Sequence, residues 1–163
     1  NHGPNLGLEI LYSGTVSAAI EGWMMGINSI AISTNAKSKK SFQLAANFIE
    51  KYIKNINFNI FDSTALLNIN IPANANDNND NNVKITKLGT SIYDDTFEER
   101  IDPSGNKYFW LTGGNGRSGE KDDTDIWAIK NEYISITPLE IELTDYRMIK
   151  QLKKQLKKQI KNK

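Results

Sequence analysis

SGTVSAAIEGWMMGINSIAIS, residues 13–33, is the stretch whose reading decides how this chain is put together. Its first half, Ser13 to Met25, sets apolar residues among Ala, Ser and Gly at spacings that suit a tightly packed helix, with Ser13 or Thr15 as the cap. After Gly26 comes INSIAIS, a short β-branched run of the kind buried in a parallel sheet. A helix feeding a buried strand is one step of an α/β alternation, and the next step follows downstream. SFQLAANFIEKYIKNI, residues 41–56, places Phe42, Ala45, Phe48, Ile49, Tyr52, Ile53 and Ile56 at spacings of three and four, which defines one apolar helical face. TALLNINIP, residues 64–72, reads as a second buried strand that Pro72 stops. Residues 1–72 thus run loop, helix, strand, helix, strand, which predicts the second half of an α/β core with a parallel sheet.

Beyond that core the texture changes. Residues 73–82 are rich in Asn and Asp and predict a surface loop. Residues 83–143 are β-rich: two runs flank Asp102-Pro103-Ser104-Gly105, a turn signal that predicts a long hairpin, and EYISITPLEI at 132–141 reads as a returning strand. Residues 144–163 put Ile149, Leu152, Leu156 and Ile160 among lysines, a narrow apolar stripe on a basic helix.

Composition bounds the function. The chain has 163 residues, 39% of them hydrophobic and 24% charged, which fits one globular domain rather than a disordered or membrane-embedded chain. The longest nearly apolar stretch, Ile20 to Ile32, is broken by Glu21, Gly22, Gly26, Asn28 and Ser29, so no membrane helix is expected. Without cysteine there are no disulfides, thiolate metal sites or thiol nucleophiles, in keeping with a cytoplasmic protein. From Asp145 onward eight basic residues face one acid; out of totals of 20 and 19, the remainder keeps 12 basic against 18 acidic residues. A body of that sign repels nucleic-acid polymers, which are not expected partners.

The densest chemical signal is NHGPNLGLEILYSGTVSAA, residues 1–19, with two asparagines, three glycines and a Ser-Gly-Thr at a helix start. Backbone N–H groups in a first helical turn lack partners, and the helix dipole adds partial positive charge, so Ser13, Gly14 and Thr15 suit a phosphate. Asn carbonyls are hard oxygen ligands for Mg²⁺ or Mn²⁺, and Asn amides donate to phosphate oxygens. On the residues alone, a glycine-rich turn capped by Ser13 fits equally well.

Read together, Asn1-His2-Gly3-Pro4-Asn5-Leu6-Gly7 and the run from Tyr12 to Gly22 resemble the signature of the SurE nucleotidases, SGxNxGxN followed by a YSGTVxAAxEG helix. The resemblance continues through SIAIS, LNINIP, YxDxxxxRxDPxGxxYxWLxG at Tyr93 to Gly113, TDxxA at Thr124 to Ala128 and YISITPL at Tyr133 to Leu139. It implies a Rossmann-like three-layer α/β core, partial here, with a β-hairpin extension and a C-terminal helix. It implies hydrolysis of nucleoside 5′- and 3′-monophosphates, and possible trimming of short polyphosphate, with one divalent Mg²⁺ or Mn²⁺ per subunit. It also implies self-association as a dimer or tetramer through the hairpin and tail, without a membrane partner. On the same basis Asn1 is the metal ligand and catalytic residue, while Asn5, Ser13, Gly14 and Thr15 hold the phosphate. The family's adjacent aspartates and a metal-binding serine would lie upstream of Asn1, outside this chain. A catalytically incomplete module for binding or assembly is the alternative.

Other candidates carry less. His2, the only histidine, is either an acid or base or a pocket-lining side chain. Asp122, Asp123 and Asp125 read as a solvated loop in which Asp125 caps the next turn. Tyr108, Phe109 and Trp110 read as packing at a subunit contact. The family usually has Gly where this chain has Glu132, just before its YISITP strand. A sheet lacking its first strands is also expected to leave the apolar faces of INSIAIS and TALLNINIP uncovered, so that the chain alone folds poorly.

Overall fold

The structure is a computed structural model that describes residues 1–35, 38–73, 82–90, 96–112 and 121–161. A 3₁₀ turn (Gly7–Tyr12) leads into helix α1 (Gly14–Met24), strand β1 (Ser29–Thr34), helix α2 (Lys39–Asn55) and strand β2 (Leu66–Ile71). Then come β3 (Val83–Ile85), the hairpin strands β4 (Thr96–Ile101) and β5 (Lys107–Thr112), helix α3 (Asp125–Lys130), strand β6 (Ile134–Pro138) and helix α4 (Tyr146–Lys161). The Asn-rich segment, apart from Ala73 and Asn82, lies outside the described residues, as do Tyr93, Asp95 and Gly113 of the hairpin pattern.

The main sheet has the order β1-β2-β6-β3. β1 and β2 pair in parallel, as the alternation predicts, with Ser33 opposite Asn70. β6 runs antiparallel to β2 and parallel to β3, so the sheet is mixed. β6 follows α3 directly and inserts between β2 and β3, so that it is parallel to β3, from which α3 separates it in the chain, and antiparallel to β2.

Side-chain alternation in the strands sends the two faces to different helices. On one face Ala45 and Ile49 of α2 pack against Leu67, Ile69, Ile71, Ile134 and Ile136. On the other, Val16 and Ala19 of α1 pack against Ala31 and Leu66. The result is three layers. The expected uncovered faces occur only in part: every residue of β2 is buried, whereas on the edge strand β1 Ile30 and Ile32 are partly buried and Ile27 before it is exposed. Exposed apolar side chains gather instead on the 3₁₀ turn and the end of α1, at Leu8, Leu11, Met24 and Met25.

The hairpin closes where expected. The Asp102 carboxylate accepts the N–H groups of Asn106 and Ser104 at 2.8 and 2.9 Å, and these bonds, Asn106 first, hold its carboxyl below the usual carboxylate range. Phe97, Ile101, Phe109, Trp110 and Leu111 on the hairpin are exposed, as are Leu152, Leu156 and Ile160 on α4.

Glu132 takes φ 63°, the left-handed region. It occupies the C′ position after α3: its N–H bonds the Ile129 carbonyl at 3.2 Å and the Tyr133 N–H bonds the Ala128 carbonyl at 2.8 Å, the pairing of a Schellman motif. A left-handed non-glycine residue costs about 1–2 kcal/mol, while a glycine adds roughly 0.4–1 kcal/mol of chain entropy on unfolding. Glu132→Gly is therefore expected to stabilise by about 0.5–1 kcal/mol, read as a melting temperature higher by a few degrees. An unchanged or lower melting temperature would contradict this account of the turn.

Candidate phosphate site at the strand ends

The first residues lie beside β1 as a short parallel ladder. Asn1 N donates to the Ile32 carbonyl at 3.0 Å, Thr34 N to the Asn1 carbonyl at 3.0 Å, and Gly3 N to the Thr34 carbonyl at 2.8 Å. This pairing sets Asn1 at the carboxyl end of β1, the place where open α/β sheets bind ligands. The Asn1 amide Nδ2 donates to the Gly3 carbonyl at 3.0 Å, which leaves Oδ1 as the side chain's acceptor on an exposed residue.

Helix α1 brings its N-terminus to the same end. It runs antiparallel to the strand it feeds, and its far end meets the start of β1 so closely that a Cβ at Gly22 would come within 2.5 Å of Ser29 Oγ. At about 1.5 Å per helical residue and 3.3 Å per strand residue, an 11-residue helix and a 6-residue strand match in length. Ser13, not Thr15, is the cap: its Oγ accepts the Val16 N–H at 3.1 Å, and its hydroxyl proton is left to donate. The N–H groups of Gly14 and Thr15 have no intrahelical acceptor, and the space above Gly14 is open for 4 Å around a built Cβ. This is the anion-binding half of the site.

Asn5 lies between these two parts. Its N–H donates to Asn70 Oδ1 at 2.8 Å, its carbonyl accepts from Asn68 and Asn70 Nδ2 at 2.9 Å each, and its own Nδ2 donates to Ser33 Oγ at 2.6 Å. Two residues on, Gly7 takes φ +51°, and a Cβ there would meet the Gly89 carbonyl at 2.8 Å. The Gly7 N–H donates to Asp125 Oδ2 at 2.8 Å, while Asp125 Oδ1 accepts the N–H groups of Gly89 and Ile126 at 2.8 Å.

Asp125 thus corrects the sequence reading. It is fully buried, and Thr124 Oγ1 is the cap of α3, accepting the Trp127 N–H at 3.3 Å. Asp122 and Asp123 are exposed, with Asp123 paired to Lys87 at 2.6 Å, an ion pair that holds its carboxyl low. His2 is exposed, its ring centroid 6.0 Å from that of Phe42. Tyr108, Phe109 and Trp110 lie exposed on β5, in a two-stranded sheet separate from the main one, with the Arg100 guanidinium 5.1 Å from the Trp110 ring.

Sequence reasoning missed Ser33, Asn68, Asn70 and Asp125. A signal for the asparagines was present: Asn68 and Asn70 share one face of an otherwise aliphatic strand, where an amide needs a partner. The partners lie more than 60 residues away in sequence, and no local pattern names them.

The donor set accommodates a divalent ion only in part. Asn1 Oδ1 is a hard neutral oxygen of the type Mg²⁺ and Mn²⁺ take. Among the described residues there is no group of three or more His, Cys, Asp or Glu able to hold a metal. Asn1 fits as one ligand of a shell completed by other groups.

Comparison with known proteins agrees with this architecture. The family model described as "Survival protein SurE" matches residues 1–95. The 5′-nucleotidase SurE of Syntrophomonas wolfei is 46% identical over 155 residues, covering 94% of this chain and 58% of that protein. That of Trichodesmium erythraeum is 42% identical over 163 residues, with 94% and 60% covered. The crystal structure of the SurE protein from Aquifex aeolicus superposes with a TM-score of 0.72 at 34% identity, covering 94% of this chain and 61% of that one. The chain therefore spans about three fifths of the length of these relatives. With its helix-start motif, its mixed three-layer sheet and a family match over most of its core, the chain belongs to the SurE family.

Proposed function

We propose that this chain is the phosphate-binding part of a metal-dependent nucleotidase that hydrolyses nucleoside 5′-monophosphates to nucleoside and phosphate. The observation that carries the reading is the start of α1, where Ser13 caps the helix, Gly14 is exposed with nothing within 4 Å of where its Cβ would lie, and the first-turn N–H groups of Gly14 and Thr15 have no intrahelical acceptor. Relatives named 5′-nucleotidase SurE, 46% and 42% identical to this chain, give the substrate class.

Each residue has a task in this reading. The N–H groups of Gly14 and Thr15 and the Ser13 hydroxyl bind the phosphoryl oxygens, and the positive end of the α1 dipole favours the dianion. As charge builds on those oxygens during attack, the same donors hold it without reorganising. Asn5 helps to hold the phosphoryl group through its side-chain amide. Asn1 contributes its Oδ1 to a Mg²⁺ or Mn²⁺ ion, one per subunit. Such an ion supplies Lewis-acid polarisation and an activated water when bound.

Hydrolysis of 3′-monophosphates and of short polyphosphate belongs to the same proposal, because the donors recognise the phosphoryl group rather than the sugar position. Self-association as a dimer or tetramer is the companion proposal. It would cover the exposed hairpin residues Phe97, Phe109 and Trp110 and the stripe of α4. No helix of the described residues is long and apolar enough to cross a membrane. A substrate panel of 5′- and 3′-monophosphates and tripolyphosphate, with inorganic phosphate as competitor, tests the assignment. Phosphate inhibition competitive with every substrate is expected, and turnover indifferent to phosphate would overturn it.

A further inference from the structure

β2 is the most completely buried strand of the protein, yet two of its six residues are asparagines, both 0% exposed. A buried amide without partners costs roughly 1–3 kcal/mol in proteins, so the pair needs an explanation. Neither side chain serves the sheet itself. Asn70 forms a two-point pair with the backbone of Asn5, accepting its N–H and donating to its carbonyl, and Asn68 donates to the same carbonyl. Ser33, the register partner of Asn70 on β1, takes the Asn5 side-chain amide. One residue of an otherwise irregular loop is therefore held at its N–H, its carbonyl and its side chain by three fully buried groups from two adjacent strands.

The arrangement is not the most stable way to fill the space. Asn68 Oδ1 is buried and accepts from no donor among the described residues, whereas an aliphatic side chain would leave no such acceptor. Local rules broken in a core mark function more often than packing. We infer that Asn70, assisted by Asn68, is a positioning residue: it fixes the Asn5 amide over the strand ends, so that the substrate phosphoryl group meets it already placed. The identity of that group rests on the nucleotidase reading, and the hold on Asn5 does not.

The test uses the complete protein with Asn70→Ala, Asn5→Ala and the double substitution. Leu67→Ala serves as control, because it lies on the same strand but faces α2. Asn70→Ala is expected to raise KM and the inhibition constant of inorganic phosphate about tenfold, with a smaller change in kcat, a coupling of the size found between contacting residues. Combined with Asn5→Ala it should add little, since Asn70 acts through Asn5. Leu67→Ala should lower the melting temperature and leave both constants in place. Multiplying effects of Asn70→Ala and Asn5→Ala, or an Asn70→Ala protein with reduced melting temperature and unchanged phosphate inhibition, would overturn the inference. Hydrogen exchange at the Asn5 amide is read in parallel and should accelerate at least about tenfold on loss of its acceptor, since the closed fraction then falls. If the wild-type protein releases no phosphate from any nucleotide, the nucleotidase reading fails alone; faster exchange at Asn5 then supports the hold, and unchanged exchange refutes it. Should Asn70→Ala fail to fold, Asn68→Ala, which removes one of the three bonds to the Asn5 backbone, is scored the same way with smaller changes.

Discussion

Asp125→Ala should lower the melting temperature of the protein by on the order of 10 °C, the largest stability effect expected of any single side chain near the site. Asp125 is fully buried and binds the N–H groups of Gly7, which opens the 3₁₀ turn and has no acceptor within it, and of Gly89, a loop position. Leaving a buried donor unmet costs about 1–3 kcal/mol, so two of them together outweigh the removal of a buried carboxylate. A further fraction comes from α3, which loses an acid from its first turn. Asp125→Asn separates hydrogen bonding from packing: shape is kept, but one amide N–H must now face a backbone N–H. It should destabilise nearly as much as Ala, and an Asp125→Asn protein melting with the wild type would show that the carboxylate does not hold both loops.

The second large effect concerns turnover. Asn1→Ala in the complete protein is expected to reduce kcat by at least about 100-fold, since altering even a group behind a metal ligand costs about 10–100-fold. The substitution removes one oxygen donor from an exposed side chain at the end of a ladder made by backbone groups, so stability should change little. Excess Mn²⁺ should recover part of the lost rate if the defect lies in metal affinity. Wild-type turnover with unaltered metal dependence in the Asn1→Ala protein would remove Asn1 from the site.

The contrast between these two residues shows where the sequence is legible. α2 could be read from its periodicity because each apolar residue answers to a neighbour three or four positions away. The cap at Ser13 and the turn at Asp102 are equally local. Glu132 is legible only beside its family, where glycine is usual, and the structure shows why: the backbone there is left-handed. In sequence Asp125 reads as the cap of the turn that ends an acidic loop, because its partners Gly7 and Gly89 lie 118 and 36 positions away. The antiparallel return of β6 was likewise not contained in its own composition, which suits either direction. Of the candidate site, the helix-start donors followed from local chemistry, and Asn1 and Asn5 were assigned by resemblance. The buried groups that hold Asn5 and Gly7 were not legible, because a strand or loop does not record what crosses it.

The central claim is tested most directly by release of inorganic phosphate from a nucleoside 5′-monophosphate, measured with and without Mg²⁺ or Mn²⁺ on the complete protein and on residues 1–163 alone. The account predicts metal-dependent release by the complete protein and none by residues 1–163 alone, for which Asn1 is the one metal ligand proposed. No release by the complete protein with either metal would contradict it.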